Sequence, residues 1–435
     1  MDPRKFQLSR RRLLASAAAA VTAAATPTGG AVAQSALAPS TSPDLWRQAS
    51  EQWVMNPRLA YFDTARFAPG TRAMLAAEYR ASEALHHDPQ AFFRDEFNAA
   101  SVQSLCARLG QWLDCSADEL CFSRNAAQGL LHFAQQMPLQ TGDEVVIHSQ
   151  LPRPLHKFWE QQARLRGLVL KSVELPLPIS NAAQVVATFE NALSERTRVL
   201  MCSHVQELDG AILPIRELSA LAHKQGALCL VDGSFSLGAL QFSLTSLGCD
   251  VYGSSFGHWL NGPATTGLLY VRRELHARLG EQFNSGSTTL LDTSGWPQLA
   301  GRWHAALLET PVQFQMLPLA LDFQERIGRA RIEARLRALQ IYARLRLQTL
   351  SGLEWLTPNQ PGLSLQILSL RSSTRSAEQI AEQLRRNDSV IVSGLATQDG
   401  SNPSLANVLR IAFNVYNSHD DIDRLVLGLQ RAIRA

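Results

Sequence analysis

Between residues 144 and 271 short apolar runs alternate with amphipathic stretches of helical period. Glu144-Val145-Val146-Ile147, Leu168 to Val173, Arg198 to Cys202, Ala227 to Val231, Val251-Tyr252-Gly253 and Gly267 to Val271 read as strands. Pro154 to Arg166, Ala182 to Ala192 and Ile215 to Gln225 read as helices between them. Strands apolar on both faces and joined by helices predict a central, mainly parallel sheet covered on both sides. Upstream, Asp44 to Leu59 predicts a polar lead-in helix and Ala60-Tyr61-Phe62 a short strand entering a loop. Helices are expected over Arg72 to His86 and Gln90 to Leu113. From about Gln315 a long helical segment leads to a second α/β unit. Its strands are expected near Leu363 to Leu368, Ser389 to Val392 and Val408 to Ile411, and its last helix over Asp420 to Ile433. The pattern divides the chain into a lead-in over 34–60, a large domain over 61–314 and a small C-terminal domain over 315–435.

Residues 1–33 follow a different rule. Ser9-Arg10-Arg11-Arg12-Leu13-Leu14 opens an alanine-rich apolar stretch, and Ala31-Val32-Ala33 offers a small-x-small cleavage site before Gln34. A basic start, a weak apolar stretch and such a site predict a secretory signal, and the paired arginines make it twin-arginine. The expected destination is the periplasm. No other segment has the roughly 18 unbroken apolar residues of a membrane span, so no membrane association is expected after cleavage.

At 435 residues, 46% hydrophobic and 18% charged, the chain has ample material for a full core, which excludes a disulfide-dense mini-protein or a disordered tail. Lysine plus arginine is 41 against 38 for aspartate plus glutamate, so no bulk field points at nucleic acid. No CxxC or His/Cys cluster has metal-ligand spacing, and no metal site is expected. Of the cysteines, Cys202 and Cys229 lie in apolar strand-like runs and read as buried free thiols. Lysine occurs only at Lys5, Lys157, Lys171 and Lys224.

Ligands of such sheets bind at the carboxyl ends of the strands. Four segments there carry chemistry. Phe122-Ser123-Arg124-Asn125-Ala126-Ala127-Gln128-Gly129 runs from a strand end into a helix N-terminus, a natural phosphate cradle. Asp232 places a carboxylate at a strand tip, where an aromatic nitrogen cation can pair with it. Ser254-Ser255-Phe256-Gly257-His258-Trp259-Leu260-Asn261-Gly262-Pro263 follows the next strand. Arg410 is a strand arginine able to hold a carboxylate bidentately.

The stretch from Arg198 to His204, with Leu213-Pro214-Ile215, Ala227 to Gly233, Gly262-Pro263 and Gly267 to Arg272, resembles the class V aminotransferases. Asp88-Pro89-Gln90-Ala91-Phe92-Phe93 and Tyr416 to Leu425 resemble their isopenicillin-N-epimerase-like branch. The resemblance implies a fold-type I pyridoxal-phosphate (PLP) transferase with a seven-stranded-type sheet, PLP or pyridoxamine phosphate as cofactor, and a site between two subunits. With the twin-arginine signal it is similar to periplasmic aminotransferases that finish pyoverdine siderophores. It implies cofactor binding by Asn125, Ala126, Asp232 and Ser255, and substrate-carboxylate binding by Arg410.

The same alignment exposes losses. The family's Ser-Gly-His-Lys-Trp-Leu stands here as Ser255-Phe256-Gly257-His258-Trp259-Leu260, which puts His258 at the Schiff-base lysine. An imidazole cannot condense with an aldehyde. The partner of the ring oxygen beyond the aspartate is Phe235, and an asparagine is replaced by Glu207. A phosphate-binding hydroxyl is Ala127, the ring-stacking residue aligns with Pro152, and a Gly-Thr offered by the neighbouring subunit is absent from Glu309-Thr310-Pro311-Val312. Each lost hydroxyl–phosphate bond costs about 1.5–3 kcal/mol, so several losses weaken binding by orders of magnitude.

Two functions stay open. One is an exported homologue that has lost lysine-dependent catalysis and binds a ligand with an amino group or a protein partner, as a homodimer or beside an active relative, in siderophore maturation. The other is an active enzyme, transaminase- or dehydratase-like, acting on an amino acid or amino sugar with His258 as base and Glu207 as a second acid/base group. Lys157 as a replacement lysine is a weaker third. Purely structural roles also stay open: Asp232 as a turn cap, Arg410 as an ion-pair partner, Ser255 as a turn residue and His258 as a packed histidine.

Overall fold

The apolar runs in the middle of the chain pair into one seven-stranded sheet, seen in a computed structural model that describes residues 43–276, 311–395 and 407–434. The expected twin-arginine stretch and cleavage site, and Glu309-Thr310, lie outside those residues. After a short β1 (Ala60–Tyr61), the strands of this sheet are β2 (Leu120–Ser123), β3 (Glu144–His148), β4 (Val169–Val173), β5 (Thr197–Ser203), β6 (Leu228–Asp232), β7 (Val251–Ser255) and β8 (Gly267–Val271). Their order is β2-β8-β7-β6-β5-β3-β4, and all run parallel except β8, which is antiparallel to both of its neighbours.

Alternation within each strand feeds two cores. Val145, Ile147, Val199, Met201 and Leu230 face one side, and Val146, Leu200, Cys202, Cys229 and Val231 the other. Helices Ala126–Gln135, Arg153–Arg166 and Ile215–Lys224 lie among the connections. The sheet passes close to the first of these at Gly253 and Gly267. A Cβ at Gly253 would lie 2.6 Å from Leu130 Cγ, and one at Gly267 2.8 Å from Asn125 Cα. Only glycine allows that approach, which brings the strand ends against a helix N-terminus.

A second sheet is antiparallel, in the order β12-β13-β10-β9, formed by β9 (Leu353–Trp355), β10 (Ile367–Ser372), β12 (Ser393–Leu395) and β13 (Val408–Ala412). Helices Arg329–Leu347, Ala377–Asp388 and His419–Arg434 contribute Leu336, Leu339, Ile380, Leu425 and Leu429 to its core. β1 pairs in parallel with β11 (Val390–Ile391), and Asp63 bridges to Ala412. The N-terminal strand therefore forms a two-stranded sheet with β11, and the bridge beyond it to β13 brings Asp63 toward Arg410. Trp259, from the turn after β7, is buried in this second core and donates its indole N–H to the Phe413 carbonyl at 2.7 Å.

Several boundaries differ from expectation for local reasons. The lead-in helix is Pro43–Ser50 and does not reach Leu59; Trp53 instead bridges to Thr71, and Pro57 disfavours helix before it. The helix expected over Gln90 to Leu113 is two, Pro89–Asp95 and Ala99–Leu113, because Asn98 and Ser101 form a capping box between them. The strand expected near Leu363 lies at Ile367–Ser372, since Leu363 and Ser364 first pair with Ile212 and Ala211. The run Ser389 to Val392 serves β11 and gives way to β12. Among the described residues no helix is long and apolar enough to cross a membrane. The six cysteines are free thiols, and all but Cys115 are buried.

Candidate active site at the strand ends

Asp232 closes β6, in the middle of the large sheet. It is buried, and its Oδ1 accepts from both the Ser234 N–H (3.0 Å) and the Ser234 hydroxyl (2.6 Å). The turn-cap role open at the sequence level is thus present. Burial pushes this carboxyl up to about 6, against the Ser234 hydrogen bonds and with a further push from the Glu207 charge.

Ser255 closes β7, and its Oγ accepts the Ala126 N–H at 3.0 Å. Asn125 caps the same helix, its Oδ1 accepting from the Gln128 N–H at 2.8 Å. The three residues come together as expected, but two first-turn amides of the cradle are already held by side chains of this chain.

His258 lies in the connection that reverses the chain between β7 and β8. Its neighbour Gly257 accepts from the Ala68 N–H at 3.0 Å, and its Nδ1 lies 3.4 Å from the Thr64 carbonyl. Phe235 meets the imidazole edge-on, with ring centroids 4.9 Å apart. Burial pushes the imidazole down to about 4, with the Thr64 carbonyl and Glu207 pulling weakly the other way. The ring is therefore neutral near pH 7. Because a carbonyl can only accept, Nδ1 carries the proton in that contact and Nε2 is left as an acceptor.

Glu207 follows β5 in a segment folded back by the Val205–Ile212 bridge. Its carboxylate meets Arg410, with Arg410 Nη1 donating to Glu207 Oε1 at 3.0 Å and to the Glu207 carbonyl at 3.3 Å. Arg410 Nη2 reaches Ser393 Oγ at 3.4 Å and lies 3.8 Å from Asp63 Oδ1. Asp63 in turn accepts a short hydrogen bond from Ser393, and burial raises its carboxyl above the usual range. Arg410 is thus an ion-pair partner here, and its Nε is buried with no acceptor among the described residues.

Sequence reasoning did not find Asp63, Thr64 or Ser393, which act through long-range pairing; the one local signal was the polar Asp63-Thr64 step directly after a strand. It also missed the His204–Tyr252 contact (2.9 Å), continued from Tyr252 to Ser236, which lies beneath the Asp232 turn.

These residues do not fit a covalently held PLP. Lys171 Nζ is committed to Glu144 (2.6 Å) and the Ala192 carbonyl (2.9 Å). Lys157 and Lys224 are exposed on helices, and Phe235 has no atom to bond a ring oxygen. Asp232 and the helix start at Asn125, where the resemblance implies a pyridine nitrogen and a phosphate, are both present.

The sequence pattern of the family described as aminotransferase class-V matches residues 64–425. Isopenicillin N epimerase of Amycolatopsis lactamdurans is 30% identical over 348 residues, covering 74% of this chain and 83% of that protein. The Streptomyces clavuligerus isopenicillin N epimerase is 27% identical over 395 residues (88% and 97%). A cysteine desulfurase of Escherichia coli is 27% identical over 399 residues (86% and 94%). Among solved structures, a mutant of C-DES with glycine covalently linked to its PLP cofactor superposes with a TM-score of 0.75 at 18% identity, covering 87% of this chain and 98% of that one. Apo cysteine desulfurase from Thermococcus onnurineus NA1 gives 0.75 at 17% identity (89% and 98%). The fold is that of the fold-type I PLP enzymes, and this chain belongs to the aminotransferase class V family.

Proposed function

We propose that this protein is an exported class V aminotransferase homologue that no longer runs lysine-dependent chemistry and works by binding a ligand or a partner. The observation that carries the reading is His258: a neutral, half-buried imidazole, boxed by Phe235 and the Thr64 carbonyl, stands where a primary amine is required. The commitment of Lys171 to Glu144 supports it. Ser9-Arg10-Arg11 and Ala31-Val32-Ala33 support export through the twin-arginine route to the periplasm. The twin-arginine pattern taken together with the epimerase-like resemblance is our ground for siderophore maturation as its setting, and family architecture supports a dimer.

A second reading rests on the same side chain. A neutral imidazole with an unprotonated Nε2 is able to take a proton, and Asp232 and the Asn125 helix remain in place to meet a pyridine nitrogen and a phosphate. In that case the protein is an enzyme that uses pyridoxamine phosphate, with His258 as base.

One experiment separates them. Protein from Gln34 onward is mixed with PLP or pyridoxamine phosphate and followed by violet absorbance and calorimetry. The first reading predicts no new band and no heat of binding. A violet band that borohydride fixes to a lysine overturns it. Tight binding of pyridoxamine phosphate alone, abolished in His258→Ala, establishes the second.

A further inference from the structure

We propose that Glu207 decides which ligands this pocket takes: by occupying Arg410 it shuts out ligand carboxylates and favours ligands that present an amine there. The inference deepens the reading above and rests on it only for the pocket's being a ligand site.

The Arg410 side chain is 4% exposed, and its inner flank is Asp63, 7% exposed, with Ser393. Its outward partner is Glu207, whose side chain is 43% exposed. An anion arriving from solvent therefore meets Glu207 before it meets the guanidinium. Glu207 holds Nη1 twice, through its carboxylate and its own carbonyl, so the competitor is tethered and always at hand.

Charge points the same way. One guanidinium faces the carboxylates of Glu207 and Asp63, and neutral His258 adds no cation. A ligand carboxylate would be a third acidic group around one cation, whereas an ammonium would be a second cation among acids. The capacity for a carboxylate is masked and still present. Nε of Arg410 has no acceptor among the described residues, so a donor stays unmet for an anion admitted by a shorter residue 207.

The test titrates wild type, Glu207→Ala and Glu207→Gln with propionate and with propylamine, using calorimetry or ligand-observed NMR. Propionate binding is expected to tighten about ten-fold or more in Glu207→Ala, and propylamine binding to weaken about ten-fold. Adding Arg410→Gln to Glu207→Ala cancels the propionate gain. Glu207→Gln keeps a hydrogen-bonding group of the same size and moves both ligands in the same directions, which serves if the alanine variant unfolds. The proposal falls if propionate affinity is equal in wild type and variants, or undetectable in all of them, or if the gain survives loss of Arg410. A lysine-linked violet band in wild type would overturn the function proposed above without altering this comparison.

Discussion

Asp232 offers a direct measure of whether the pocket supplies a cation. It is 5% exposed, and its hydrogen bonds come from the neutral donors of Ser234. Its carboxyl is held at about 6 against an ordinary value of 3.8. Below the lower value both folded and unfolded chains carry the proton, and the stabilisation of the neutral carboxyl is complete. As pH rises the unfolded chain ionises first, so that contribution declines and is gone once the folded group ionises. A shift of about two pKa units at about 1.4 kcal/mol each makes the decline about 3 kcal/mol between roughly pH 4 and pH 7. Asp232→Asn keeps an oxygen for the Ser234 donors and has no proton to lose. Urea unfolding at a series of pH values should show the stability difference between wild type and variant shifting by about that amount, with unchanged m-values. Adding Glu207→Gln removes a charge that raises Asp232, and should move the window to lower pH. A difference that stays constant across the range refutes the reasoning, because the aspartate would then be ionised throughout and paired with a cation.

His148 and His204 are buried and pushed down to about 3 by desolvation, so both are neutral in the fold. Their contribution is complete above pH 6.5 and is lost as pH falls, when the unfolded chain takes up protons first. His204→Gln should flatten the acid limb of urea-derived stability by about 1.4 kcal/mol per pH unit, and an unchanged slope would show that His204 is charged in the fold. A Cβ at Gly233 would lie 2.1 Å from the Tyr252 ring, so Gly233→Ala must displace Tyr252 and break its contacts to His204 and Ser236. We expect a loss of about 1–3 kcal/mol or more in chemical denaturation; wild-type stability would show that the turn yields freely.

Asp232, Ser255 and Asn125 were legible in the sequence because each ends a strand or starts a helix, and a parallel sheet gathers such positions at one edge. Arg410 was legible as a strand arginine for a related reason. Its partner was not. Glu207 lies 203 positions away in sequence, and only the crossing of the β5 loop over the second sheet brings the two together. The resemblance marked Glu207 as a replaced asparagine, and the structure turns its carboxylate to a guanidinium. Asp63 was hidden likewise, because β1 stands outside the large sheet and pairs with β11, a choice that no local period records. Errors in helix ends had simpler sources: Asn98 and Pro57 carry stop signals that the apolar pattern runs straight through.

His148 shows how a single donor can fix a network. Its Nε2 lies 3.2 Å from the Ser203 N–H, which can only donate, so Nε2 accepts and the neutral ring carries its proton on Nδ1. Nδ1 faces the Gln206 amide, which must then present oxygen to it, and that orientation points the Gln206 nitrogen at Asp209, 2.9 Å from Oδ1. Asp209, fully buried and pushed up to about 7, thereby gains a donor beside the Ala211 N–H. The segment joining β5 to Glu207 is thus held from beneath by a chain of hydrogen-bonded polar groups, and Gly210 lets it lie against Ile367, where a Cβ would stand 2.7 Å away. Support of this kind argues against simple decay of the site. Here the backbone of Glu207 itself accepts from Arg410 while its carboxylate pairs with the same guanidinium, so the acid is held in one place. The position of the carboxylate is built.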